Sequence, residues 1–220
     1  EDRRAPDKVT ETPTGPVIQD NDGRTAPSRT YQDLLKNERD AAWFEYYGTS
    51  QLAIVSAKDG AIDPIGEPGL IARAVPSPDG AYILVETLHR PYSYLVPYYR
   101  FPGRVEILTA DGRLVRQVAD LPLAEEVPIA FDAVPTGPRS HKWRSDVGAE
   151  LIWAEAQDGG DPATETDVRD IVYTLASPFE GEPVELTRFG LRYVDIQWGR
   201  DDLALGRERW WKERRVKVWR

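Results

Sequence analysis

Arg104-Val-Glu-Ile-Leu-Thr109, Asp111-Gly112 and Arg113-Leu-Val-Arg-Gln-Val118 read as one unit, two short alternating runs joined at a turn signal. Asp-Gly tolerates the positive φ that a tight connection between strands demands, so the stretch predicts an antiparallel hairpin. The same pattern extends in both directions. Gln51-Leu-Ala-Ile-Val-Ser56 runs into Asp59-Gly60, and Tyr82-Ile-Leu-Val-Glu86 follows Ser77-Pro78-Asp79-Gly80. Leu151-Ile-Trp-Ala-Glu155, Asp170-Ile-Val-Tyr-Thr174, Pro183-Val-Glu-Leu-Thr187, Asp195-Ile-Gln-Trp198 and Leu203-Ala-Leu205 continue the series. None of these runs is long enough for a helix and several are rich in β-branched residues, so the chain from residue 51 onward predicts short strands.

Three turns set a longer period. Pro76-Ser77-Pro78-Asp79-Gly80, Trp143-Arg144-Ser145-Asp146 and Trp198-Gly199-Arg200-Asp201 each precede an apolar strand. They lie about 55 to 70 residues apart, a spacing that suits four-stranded propeller blades with insertions. The expected fold is therefore all-β: a partial β-propeller of about three blades of antiparallel four-stranded sheets, with one N-terminal helix. Blade segments are expected at about 51–67, 70–120, 140–190 and 193–220. Trp143, Trp153 and Trp198 are expected to be buried between sheets. Such an arc is open, since a closed ring needs at least four blades. The absence of Met, including at position 1, agrees with a processed chain or a piece of a longer one.

Upstream, residues 1–28 carry Pro6, Pro13, Pro16 and Pro27 among scattered charges with no apolar period, and read as a linker or irregular segment. Thr30, three residues before Asp33, resembles a capping box, and Tyr31, Leu34, Leu35 and Ala42 fall near one helical face before Gly48. This predicts a helix over about 30–47 packed on the neighbouring sheet.

Composition bounds the function. With 28 Lys+Arg against 37 Asp+Glu the net charge is −9, which argues against nucleic acid as a partner. No run reaches the length of a membrane span, and no apolar signal stretch opens the chain. With no Cys, thiol nucleophiles, disulfides and zinc-thiolate sites are excluded. No Gly-x-Ser-x-Gly occurs, and Gly48-Thr49-Ser50-Gln51-Leu52 leads into a strand where a nucleophile elbow leads into a helix. His89 and His141 are the only histidines, and each reads as a structural residue. No catalytic residue, metal site or cofactor is assigned. Asp158-Gly-Gly-Asp161 and Asp201-Asp202 lack a full set of oxygen ligands and read as turns. The basic and aromatic segment 208–220 reads as two neighbouring strands with Arg and Lys facing outward over buried Trp.

The densest text is His89-Arg-Pro-Tyr-Ser-Tyr-Leu-Val-Pro-Tyr-Tyr-Arg-Phe-Pro102, between two strands. It reads either as a stiffened binding loop or as a rigid aromatic crossover. At these residues a resemblance emerges. His89-Arg-Pro-Tyr-Ser93, Val96-Pro97, Arg100-Phe-Pro102, Asp120-Leu-Pro-Leu-Ala-Glu125, Trp143-Arg-Ser-Asp146, Trp153-Ala-Glu-Ala-Gln-Asp-Gly-Gly-Asp161 and Arg169-Asp-Ile-Val-Tyr173 resemble the propeller of the glutamyl endopeptidases. These are chloroplast and bacterial serine peptidases of the prolyl oligopeptidase family. Gly23-Arg24, Arg29-Thr-Tyr-Gln-Asp-Leu-Leu35, Phe44-Glu-Tyr-Tyr47 and Ser50-Gln-Leu52 fit the same family, so the resemblance spans about residues 15–219.

The resemblance implies a β-propeller that caps an α/β-hydrolase domain of the same parent and screens peptide substrates. It also implies hydrolysis after Glu, carried out by a Ser, Asp and His that this chain lacks, so the chain alone is expected to be inactive. A location in the bacterial periplasm, outside the cell or in the plastid stroma follows from it. Binding a Glu side chain requires charge-assisted hydrogen bonds. Arg90 or Arg100 is the expected source, with Tyr92 and Tyr94 as walls or donors and His89 as a second donor when protonated. In the competing reading both arginines pair with neighbouring carboxylates. A stand-alone propeller-like interaction module is the alternative function, since exposed terminal sheet edges favour pairing.

Overall fold

The structure, a computed structural model, describes residues 4–6, 31–200 and 203–220. The expected linker over 1–28 lies outside these, apart from residues 4–6. Helix α1 (Glu38–Gly48) precedes twelve strands, of which the first five are β1 (Ser50–Val55), β2 (Ile62–Pro76), β3 (Tyr82–Leu88), β4 (Gly103–Thr109) and β5 (Leu114–Leu121). A second group follows as β6 (Pro138–Trp143), β7 (Glu150–Ala156), β8 (Asp170–Ala176) and β9 (Val184–Phe189), and a third as β10 (Ala204 lies beyond it; Arg192–Trp198), β11 (Ala204–Trp210) and β12 (Arg215–Trp219). Each group is one sheet whose strands lie side by side in chain order, and every pairing is antiparallel.

The hairpin read first is β4–β5. Leu108 pairs with Leu114, and the Thr109 N–H donates to Arg113 O at 2.8 Å. Gly112 sits at φ 87°, and a Cβ there would lie 2.6 Å from Gly66 N, so both backbone angle and space require glycine.

The sheets hold five, four and three strands, whereas four per sheet was expected. The extra strand arises because β2 runs unbroken for 15 residues. It pairs with β1 up to Gly69 and with β3 from Leu70, so the expected division between 67 and 70 falls inside one strand.

The helix is also shorter than expected. Asn37 is its N-cap, accepting the Asp40 N–H at 2.9 Å, and residues 31–37 are not helical. Asp33 has φ 57°, which interrupts a right-handed helix, so Tyr31, Leu34 and Leu35 lie ahead of α1. Thr30 lies outside the described residues.

Two apolar clusters hold the sheets face to face. The first joins Leu84, Val105 and Ile107 of the five-stranded sheet to Trp143, Leu151, Trp153, Leu175 and Phe179. The second joins Ile152, Ala154, Val172 and Phe189 to Tyr193 and Ile196 of the three-stranded sheet. Along β7, Leu151 and Trp153 serve one cluster while Ile152 and Ala154 serve the other, as a period of two requires. A strand buried on both faces is a continuous apolar run, which is how Leu-Ile-Trp-Ala reads.

Trp143 and Trp153 are buried as expected, at 8% and 3% exposure. Trp198 is only half-buried: it packs against the second cluster, with the Arg144 guanidinium over its ring at 3.9 Å. Of the tryptophans in the 208–220 hairpin only Trp210 is buried. Trp211 and Trp219 are exposed, and the buried Glu208 accepts from Trp219 Nε1 at 2.9 Å.

Candidate functional site

The segment 89–102 joins β3 to β4 and is held against α1. Arg90 donates from Nε to Glu45 Oε1 at 2.8 Å, from Nη2 to Glu45 Oε2 at 3.2 Å and from Nη1 to Glu38 Oε2 at 2.9 Å. The Tyr92 hydroxyl donates to Glu45 Oε1 at 2.8 Å and that of Tyr94 to Glu38 Oε1 at 3.0 Å. The Arg90 guanidinium holds the Glu45 and Glu38 carboxyls below their usual range, and burial followed by the Glu45 carboxylate pushes the Tyr92 phenol up. Beneath this polar layer Phe44, Tyr92 and Phe101 pack with ring centroids 5.2–5.8 Å apart. His89 contacts Arg90 O through Nδ1 at 2.7 Å and Asp120 Oδ1 through Nε2 at 3.0 Å. Buried Ser93 donates to Glu125 and accepts the Leu95 and Val96 N–H groups, fixing the bend of the loop.

Four of the five candidate residues are thus engaged with neighbours, three of them with carboxylates of α1. Arg100 is different. It ends the single 3-10 turn Tyr98–Arg100 and reaches a cavity of about 570 Å³ between the first and second sheets. Arg73 of β2, Glu86 of β3, Glu126, and Arg139 and His141 of β6 line the same cavity. Apolar wall is supplied by Phe101, Val105 and Val127, all buried.

Five side-chain nitrogen or oxygen atoms among the described residues are buried without a hydrogen-bond partner. Three belong to residues of this cavity: Arg100 Nη1, Arg139 Nη1 and His141 Nε2. Arg73, by contrast, is satisfied, donating from Nη1 to Glu86 Oε1 at 3.1 Å and to His141 O at 2.7 Å. His141 is 3% exposed, and burial together with the Arg73 charge pushes its imidazole down to about 4.

Behind the cavity lies a buried ionic network. Arg139 Nη2 donates to Asp170 Oδ2 at 2.6 Å, while Arg192 donates to Asp170 Oδ1 at 2.9 Å and to Asp158 Oδ2 at 2.7 Å. Arg169 also binds Asp158, at 2.8 Å. Three arginines therefore share two aspartates. Asp158, read as a turn residue from sequence, bridges two of them besides accepting the Gly160 N–H at 3.0 Å. Gly160, at φ 77°, carries the β7–β8 connection against the cavity wall, where a Cβ would come within 2.0 Å of Val134 O. Asp201 and Asp202 lie outside the described residues.

Arg139 and His141 were not legible as site residues. They flank Ser140, at φ 57°, where β6 carries one residue more than β7. A bulge of this kind re-aims side chains, and nothing in Arg139-Ser-His141 marks one.

Antiparallel sheets stacked in chain order, with an arginine-lined cavity between two of them, define a β scaffold that carries a polar recess. Two curated proteins match this chain over 220 residues, both described as probable chloroplastic glutamyl endopeptidases: one from Oryza sativa subsp. japonica at 47% identity and one from Arabidopsis thaliana at 49%. Each match covers 99% of this chain and 23% of the relative, so the chain spans less than a quarter of the relatives' length. The chain is homologous, over nearly its whole length, to one segment of these probable glutamyl endopeptidases. No family model matches it, and no solved structure does.

Proposed function

We propose that this chain is the propeller segment of a glutamate-specific serine endopeptidase of the prolyl oligopeptidase type, capping a hydrolase domain and gating peptide entry. The observation that carries the reading is the match of nearly its whole length, at 47–49% identity, to probable glutamyl endopeptidases. The stacking of sheets in chain order agrees with blades. So do the exposed apolar side chains on the two outermost sheets, Ile54, Val55 and Ile62 at one end and Val216, Val218 and Trp219 at the other, which further blades would cover. In this reading the segment 89–102 fixes α1 to the first sheet through Arg90, Tyr92 and Tyr94, with His89 tying its base to Asp120, and Arg100 is left to meet substrate.

The test compares peptides of increasing length, each with one Glu, using a longer protein that contains this segment. Turnover falling steeply with peptide length, and losing that dependence when the segment is excised, is the expected result. A length-independent profile refutes gating. Turnover by the 220-residue chain alone, persisting through purification, refutes the assignment of chemistry to another part of the protein.

A further inference from the structure

We infer that the cavity between the first and second sheets is a carboxylate site, in which Arg100, Arg139 and His141 receive an acidic group of a bound peptide. The inference deepens the peptide-gating reading above and rests on it for the nature of the ligand.

The argument starts from what the three side chains lack. A buried guanidinium N–H without an acceptor carries a desolvation cost that no hydrogen bond offsets. Arg100 forms no side-chain hydrogen bond or ion pair among the described residues, and its Nη1 is nonetheless buried. Arg139 spends Nη2 on Asp170, which Arg192 shares, and its Nη1 is left over. His141 Nε2 adds a third unpartnered polar atom at the same cavity. Three isolated defects in one recess are better accounted for by one missing partner, and the partner that satisfies two guanidinium groups is an oxyanion.

Charge agrees. Three arginines line the cavity against Glu86 and Glu126. Glu86 is committed to Arg73 at 3.1 Å, and Glu126 is exposed. The network behind the wall sets Arg169 and Arg192 against Asp158 and Asp170, so those two aspartates are already balanced without Arg139. A volume of about 570 Å³ exceeds what a carboxylate alone fills, and the apolar wall of Phe101, Val105 and Val127 suits the chain that bears it.

Isothermal titration of the 220-residue chain with acetyl-Ala-Glu-Ala-amide, acetyl-Ala-Gln-Ala-amide and acetyl-Ala-Gln-Ala free acid tests the site. The Glu peptide is expected to bind at least roughly tenfold more tightly than the Gln amide, and Arg100→Ala to remove that difference. Because the Arg100 guanidinium has no partner among the described residues, Arg100→Ala should leave the melting temperature unchanged or higher, which a structural arginine would not do. Tighter binding of the free acid than of the Glu amide also supports a carboxylate site, and identifies a chain end as its source. Equal binding of all three peptides, or a carboxylate preference undiminished in Arg100→Ala, overturns the inference. So does a loss of stability shared non-additively by Arg100→Ala and Glu126→Gln, which would make the two a structural pair. The peptidase reading is judged separately: if the longer protein cleaves after Glu and keeps its Glu-to-Gln preference in Arg100→Ala, the carboxylate site fails and that reading stands.

Discussion

His141 shows how one residue ties the cavity to the stability of the whole. It is buried beside Trp153, ring centroids 6.0 Å apart, with Arg73 donating to its own carbonyl. Burial and the Arg73 charge both oppose a second proton on the ring, which brings its pKa from 6.5 to about 4. An unfolded chain takes up that proton near pH 6.5 while the folded one resists it to about pH 4. The contribution to stability is therefore complete above pH 6.5 and is lost as the pH falls toward 4, by about 3 kcal/mol over the window. Urea unfolding at pH 7 and pH 4.5 is expected to show this loss in the wild type and a much smaller one in His141→Gln. The carboxyls held low by arginine, such as Glu45 and Asp195, lose their share only below about pH 4.5, so the comparison isolates the imidazole. A histidine among strands reads as structural, and the structure agrees that it packs in a core. Its unpartnered Nε2 at a cavity is a fact of three dimensions.

At the scale of elements, α1 and the loop at 89–102 act as one unit. Arg90 meets Glu45 through two parallel hydrogen bonds, and Tyr92 adds a third contact to the same carboxylate. Because Arg90 and Glu45 are both more than a third exposed, solvent screens the pair, and Glu45→Ala is expected to cost only about 1 kcal/mol, read as a lower urea midpoint. Glu38→Ala, at a far more exposed carboxylate, should cost less. Equal effects would mean that the loop is not anchored through Glu45. The start of α1 escaped the sequence because the Thr30 and Asp33 pair resembles a capping box, whereas Asp33 at φ 57° interrupts a right-handed helix and Asn37 caps α1. The first half of β2 escaped for another reason. Asp63-Pro-Ile-Gly-Glu-Pro-Gly69 carries two prolines and two glycines, which mark turns and hide the continuity of the strand across 67–70. Here β2 pairs on one side only, with β1, and an edge position tolerates residues that cannot donate to a ladder.

For the whole molecule the decisive contacts run between sheets. Trp153 is 3% exposed in the cluster between the first two sheets, and Trp153→Ala is expected to destabilise by about 3–5 kcal/mol in urea titration. Trp198→Ala should cost clearly less, since its ring is half-buried under Arg144 and its indole N–H has no partner to lose. Equal costs would contradict the stacking order described above. The second and third sheets are joined by Arg192 reaching Asp158 and Asp170, and by the Tyr193 N–H donating to Asp170 Oδ2 at 2.6 Å. None of these pairs is local in the chain. What the sequence determined by itself was local: which runs become strands, where Asp-Gly turns close them, and that every sheet is antiparallel. Those follow from side-chain period and turn chemistry, which act over a few residues. What only the tertiary structure decided was which polar groups meet. Chemistry nominated Arg90 and Arg100 equally, and the distinction between them arose because α1 brings two carboxylates to the first and the packing of two sheets leaves the second facing a cavity with Arg139 and His141. A charge is satisfied or left over according to what surrounds it in space, and residues far apart in the chain supply those surroundings.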